Sequence, residues 1–176
     1  WEWMKFRIDF NTMNIRNPIK RLKIIISCIV DTAKRNTSIE FVDEDVLHRI
    51  VVAEGTKAYH TKEVDEQNHY GYFLSYKSLS EKIAQGLLDV NPTFPYPRAL
   101  ASNLLEMANN QVYFAQHLPR LTDIQIEQEN LSQVIKVLEY FAFQLLLGDE
   151  RDTHAETDDS VAPASQNGSS VVTNQN

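Results

Sequence analysis

Residues 92–118, PTFPYPRALASNLLEMANNQVYFAQHL, constrain the fold of this chain more than any other stretch. Pro92, Pro95 and Pro97 lead into it and Pro119 closes it. Proline suits the first helical position, because the N–H it lacks would be unpaired there anyway. The residue before a proline is pushed toward extended backbone, so Phe94 and Tyr96 enter the helix as a straight lead. Pro119 cannot continue the hydrogen-bond ladder and stops the helix. Between these limits Leu100, Leu104, Met107, Ala108, Gln111, Phe114, Ala115 and Leu118 recur on one face at helical spacing. Ala101, Leu105 and Val112 widen that stripe beyond the ~100° of a surface helix, which predicts contact with two neighbouring elements. Gln111 is polar in mid-stripe. Buried amides are normally paired, so Gln111 is expected to be a core residue bonded to a neighbour's backbone, with ligand reading as its functional alternative. Asn109, Asn110, Tyr113 and His117 lie on the opposite, polar face.

A second apolar run, residues 130–147, predicts the partner of this helix. Leu131, Val134, Ile135, Leu138, Phe141, Ala142 and Leu145 form its stripe, Val137, Phe143 and Leu147 lie outside it, and Gly148 ends it. A helix apolar almost all round is buried in a core or in a partner. Upstream, Asn17-Pro18 reads as a cap followed by a first-position proline, opening a helix to Arg35. The β-branched cluster at 24–30 makes a strand the competing reading there. Residues 37–42 predict a short strand, and Asp43 caps a helix to about Glu54 with Gly55 after it. Residues 56–69 have no period and predict a loop. Residues 70–76, YGYFLSY, are aromatic and strand-like. Ser78 and Glu81 then form a capping box for a helix to Val90, whose Gly86 suggests either a close helix approach or a poorly formed last turn.

The two ends stand apart. Trp1, Trp3, Phe6, Ile8 and Phe10 alternate like a strand, but residues 1–16 open on tryptophan and are expected to be a non-native or disordered leader. Residues 149–176 are mostly polar, with scattered alanine and valine, and are expected to be a disordered tail. The fold expected is therefore mainly α. Four or five helices over 17–148 form one domain, with one or two short strands at most.

Charge and chemistry narrow the function. The net charge is −7, against a general affinity for nucleic acid. Residues 1–36 nevertheless carry eight Lys and Arg against three acids, a surplus of five, while the remainder carries nine against twenty-one. Arg16, Lys20, Arg21 and Lys23 thus form a basic patch. It either meets the chain's own acids or meets an anionic partner, a nucleic acid or an anionic membrane. The single cysteine, Cys28, excludes an intramolecular disulfide and points to a reducing, cytoplasmic setting. The apolar run at 24–30 is far short of the ~20 residues of a membrane span.

Five histidines are present, and His48, His60 and His69 lie among acids, as ligands of a metal-dependent enzyme would. Their spacing matches no compact metal motif. With five glycines there is no phosphate-cradling loop, and no G-x-S-x-G occurs. No catalytic residue and no cofactor is assigned. The remaining signal is aromatic, with tyrosines concentrated around residues 59–76 and the central helix, the residue type enriched at protein interfaces. The reading is a non-enzymatic interaction or regulatory protein that takes a protein partner or a second copy. Its candidate site residues are Tyr72, Tyr76, Asn109, Gln111, Tyr113 and His117.

Overall fold

The computed structural model describes residues 1–32, 59–126 and 130–148. Six α-helices lie among the described residues, and no strand. They are α1 (Glu2–Thr12), α2 (Pro18–Thr32), α3 (Val64–His69), α4 (Leu74–Val90), α5 (Pro97–His117) and α6 (Ser132–Leu147), with a 3-10 turn at Pro119–Leu121. The chain is mainly α. The strand expected at 37–42, the helix expected from Asp43, His48 and the tail from 149 lie outside the described residues.

α2 begins as its sequence dictates. The Asn17 side chain accepts the Lys20 backbone N–H at 2.9 Å, which satisfies one of the donors a helix start leaves unpaired. The β-branched cluster is helical after all, because Leu22, Ile25, Ile26, Ile29 and Val30 come to one broad face and are all buried. That face touches each of the other long helices, α1, α4, α5 and α6. The central helix α5 packs on α4, α6 and α2, as the width of its stripe requires. α5 and α6 also pack on each other.

Several expectations are corrected. Glu2 to Phe10 is helix, not strand. The alternation there is broken between Trp3 and Phe6, whereas Met4, Ile8 and Thr12 recur every four residues and are the ones buried. Within residues 1–16, α1 lies against α2 and α4. Residues 70–76 are not a strand either. Gly71 takes a positive φ of 82° and turns the chain, and α4 starts at Leu74, four residues before the expected box. The period explains this, because Tyr76 continues the stripe of Leu79, Ile83 and Leu87 at spacings of three and four. The loop expected over 56–69 contains α3. The last helix begins at Ser132 rather than Asn130, whose side chain accepts the Ser132 N–H at 3.0 Å.

Both core stripes are also rotated from their expected centres. In α5 the buried residues are Leu100, Ala101, Leu104, Leu105, Ala108 and Val112, while Leu118 is exposed. In α6, Leu146 is buried and Phe141 and Leu145 face solvent at 43% and 54% exposure. Leu131, Val134, Leu138, Ala142 and Leu146 recur mostly every four residues, which is the ridge that seats between α2 and α5. Asn91, just past α4, holds the far end of this helix by donating its amide to the Leu146 carbonyl at 2.8 Å.

Gly86 marks the close approach its sequence position suggested. It is buried, and a Cβ built there would lie 2.6 Å from Ile25 Cδ1. Gly86→Ala is therefore expected to destabilise the protein despite alanine's better helix propensity. Ile25→Val removes the clashing methyl, so a double-mutant cycle read by urea unfolding should show a coupling of about 0.5–3 kcal/mol. Additive effects would show that the two helices do not touch there.

Candidate functional site

The helix arrangement brings two of the expected site residues together. Tyr76, in the first turns of α4, and Asn109, on α5, both line a cavity of about 50 Å³. Its other walls are Trp1, Met4, Ile29, Tyr59, Leu105 and Glu106, so α1, α2, α4 and α5 all contribute. Met4, Ile29 and Leu105 belong to the core and form an apolar floor.

The polar and aromatic walls are ordered by mutual contact. The Tyr59 ring stacks on Tyr76 with centroids 5.7 Å apart and planes 20° apart. Trp1 leans on the other partner, with its centroid 4.7 Å from that of Tyr76. The Tyr59 hydroxyl donates to Glu106 Oε1. Burial pushes the Tyr59 phenol well above its ordinary value of 10.0, and the bond to Glu106 and that carboxylate's charge push it further. Burial likewise raises Tyr76, with the Glu106 charge adding to it. Both phenols therefore stay protonated at neutral pH. Their chemistry is donation and ring contact rather than proton abstraction.

The remaining expected site residues are dispersed. Gln111 is half-buried, and its carbonyl accepts the Thr122 hydroxyl at 2.6 Å. Thr122 Oγ1 in turn accepts the Ile124 N–H at 3.2 Å, a turn that sends Ile124 into the core. Gln111 thus ties the segment after α5 to the helix. Tyr113 and His117 pair on the outer face of α5 with ring centroids 4.8 Å apart. Tyr72 is 70% exposed beside Tyr70, at 6.5 Å.

Two of the four residues of the basic patch pair with the chain's own acids. Arg21 pairs with Asp89 at 2.9 Å and Lys23 with Glu139 at 3.4 Å, and these tie α2 to α4 and to α6. Lys23 also stands 5.9 Å from the Phe143 ring centroid. Arg16 and Lys20 are exposed. Of the histidine set, His48 lies outside the described residues, His60 is exposed beside Tyr59 and His69 is exposed at the end of α3. Among the described residues no group of three or more His, Cys, Asp or Glu is placed to hold a metal ion. Among the same residues no helix is long and apolar enough to cross a membrane. Cys28 is a buried free thiol in α2, its acidity weakened chiefly by burial.

A second, wider groove of about 400 Å³ runs between the start of α5 and the end of α6, lined by Phe94, Pro95, Tyr96, Ala99, Leu100, Asn103 and Leu145. It is mostly apolar, with the Asn103 amide on its wall. The smaller cavity combines aromatic walls with a carboxylate and an amide.

Sequence reasoning missed Glu106 and Trp1 as site residues. Glu106 sits three positions before Asn109, so both lie on one side of α5, and that spacing was the available signal. Trp1 reaches the cavity only because α1 is a helix packed on α2 and α4. Comparison with protein-family models, with curated proteins and with solved structures returns no match to this chain.

The tyrosines set a pH dependence. A phenol whose pKa is raised on folding contributes stability that is fully present below the unfolded value and is lost as pH rises toward the folded one. Stability should therefore decline above about pH 10 as unfolded phenols ionise. Tyr59→Phe should flatten that decline in unfolding curves taken across the alkaline range. An unchanged slope would show that Tyr59 is not held by Glu106.

Proposed function

We propose that this chain is a non-enzymatic interaction or regulatory module whose recognition surface lies where α4 meets α5. The observation that carries the reading is the pocket between Tyr76 and Asn109, with its stacked rings, its bonded carboxylate and its apolar floor. Two phenols held neutral and one amide offer hydrogen bonds and ring faces, which recognise a ligand without transforming it.

The ground around the pocket supports the same reading. Tyr70, Tyr72 and Leu74, at the turn into α4, are 67%, 70% and 67% exposed. Large apolar and tyrosine side chains grouped in solvent mark interaction sites, where those scattered singly do not. Tyr113 and His117 extend the surface along α5. The occupant is a protein partner or a second copy of the chain. A single buried, free cysteine suits a reducing, cytoplasmic setting for such a protein.

Association is the direct test. The full chain should form a defined complex, by analytical ultracentrifugation alone or after affinity capture and purification of the captured species. Tyr72→Asp and Asn109→Ala should weaken that complex by about tenfold or more, the loss of one or two central interface contacts. A chain that stays monomeric and binds nothing that the two variants lose would contradict the reading.

A further inference from the structure

We propose that the outer face of α1 docks on the surface of an anionic lipid bilayer. The proposal goes beyond the protein-recognition reading and concerns a different face of the molecule. α1 carries two apolar stripes. Met4, Ile8 and Thr12 recur every four residues and are buried against the fold. Trp3, Phe6, Phe10 and Met13 recur at spacings of three, four and three on the opposite side, and are 55–73% exposed. Trp3 stacks on Phe6 with ring centroids 5.6 Å apart, and Phe6 on Phe10 at 6.2 Å, so the three rings form one continuous ridge. Charges on both flanks of the ridge are matched within the fold: Lys5 with Glu2, Arg7 with Asp31 of α2, and Asp9 with Lys82 of α4. Large apolar side chains grouped in solvent in this way mark an interaction site.

The chemistry of the ridge favours a bilayer over a protein. A protein interface makes about one hydrogen bond per 100–200 Å². Of the four ridge side chains only Trp3 has a strong donor, its indole N–H. The groups suited to lipid headgroups stand at the two ends. Trp3, whose ring type gathers at membrane–water interfaces, is at one end. Arg16 and Lys20, both exposed, follow Met13 at the other. Lys20 shares a line on α2 with Ile24, Ser27 and Asp31, and Asp31 meets Arg7 of α1, so Lys20 stands on the edge of α2 beside α1. Residues 1–23 carry six Lys and Arg against two acids, although the whole chain is −7. An anionic surface attracts this end and repels the acidic remainder, which turns the ridge toward the bilayer. α1 has 11 residues, far short of the ~20 that span a bilayer. It therefore lies in the interface plane, with the ridge buried about 5–10 Å into the boundary between headgroups and acyl chains.

Vesicles of equal parts phosphatidylserine and phosphatidylcholine, compared with pure phosphatidylcholine, are the probe. The full chain is used with Trp1→Phe, which leaves Trp3 as its single tryptophan. The protein should float with the anionic vesicles, its Trp3 emission should shift to the blue, and added salt should release it. Phe6→Ser combined with Phe10→Ser should weaken binding by about tenfold or more. Both side chains are exposed, so the urea midpoint of that variant should match the parent's. Arg16→Gln and Lys20→Gln leave the ridge intact and should each weaken binding by about fivefold. Absence of binding to the anionic vesicles overturns the proposal. Equal binding to both vesicles overturns it too, as does binding that survives the paired serine substitutions. Self-association that those substitutions abolish, in a chain that ignores the vesicles, gives the ridge to a second copy and overturns the lipid assignment.

Discussion

The structure depends on one apolar face, that of α2. Leu22, Ile25, Ile26, Ile29 and Val30 are each 2% exposed or less, and they are the surface on which α1, α4, α5 and α6 converge. Burying a side chain of this size contributes about 1.5–3 kcal/mol relative to leaving it in water. Five such side chains on about two turns give every other long helix apolar surface of α2 to pack on. Gly86 of α4 faces Ile25 across this surface, where a Cβ would lie 2.6 Å from Ile25 Cδ1, so any side chain there has to displace that methyl. Around the rim of the same helix Arg21 and Lys23 meet Asp89 and Glu139. Half-exposed pairs of this sort add little stability, roughly 0–1 kcal/mol each, and serve better to fix which neighbour lies on which side.

The candidate pocket is a consequence of that convergence. It opens where α1, α2, α4 and α5 meet and cannot quite fill the space between them. Ile29 is both a core residue of α2 and a wall of the cavity. Core and site therefore share a residue, and the apolar floor is held rigid by the same contacts that hold the fold. The rings and Glu106 are laid over this floor. A polar network is costly to leave half-satisfied in such surroundings, and the bond from Tyr59 to Glu106 meets that demand.

Much of this was legible in the sequence. The proline-bounded central helix, the Asn17 cap, the α5–α6 pairing and the close approach at Gly86 all follow from local chemistry, whereas Gln111, expected to bond a neighbour's backbone, is half-buried and accepts the Thr122 hydroxyl instead. What was not legible involves choices between competing periods. Trp1 to Phe10 and residues 70–76 have the aromatic composition of strands, and only the positions of Met4, Ile8 and Thr12, or of Tyr76 relative to Leu79, show the helical repeat. β-propensity describes fit to a pleated, half-buried surface, and among the described residues no strand offers one. The exact rotation of α5 and α6 was hidden for a different reason: both have apolar residues on more than one side, so periodicity leaves the buried face undetermined. The pocket was half visible. Tyr76 and Asn109 were marked by residue type, but Glu106 and Trp1 became neighbours of them only through tertiary packing.

Native-state hydrogen exchange tests the central role of α2 most directly. If α2 holds the other helices, the amides of Leu22 to Val30 exchange only through global unfolding, with protection equal to the full unfolding free energy, and α4 and α5 opposite them follow closely. Exchange of these amides by a smaller local opening, at a free energy below that of the α5 core residues Leu104 and Ala108, would contradict the account.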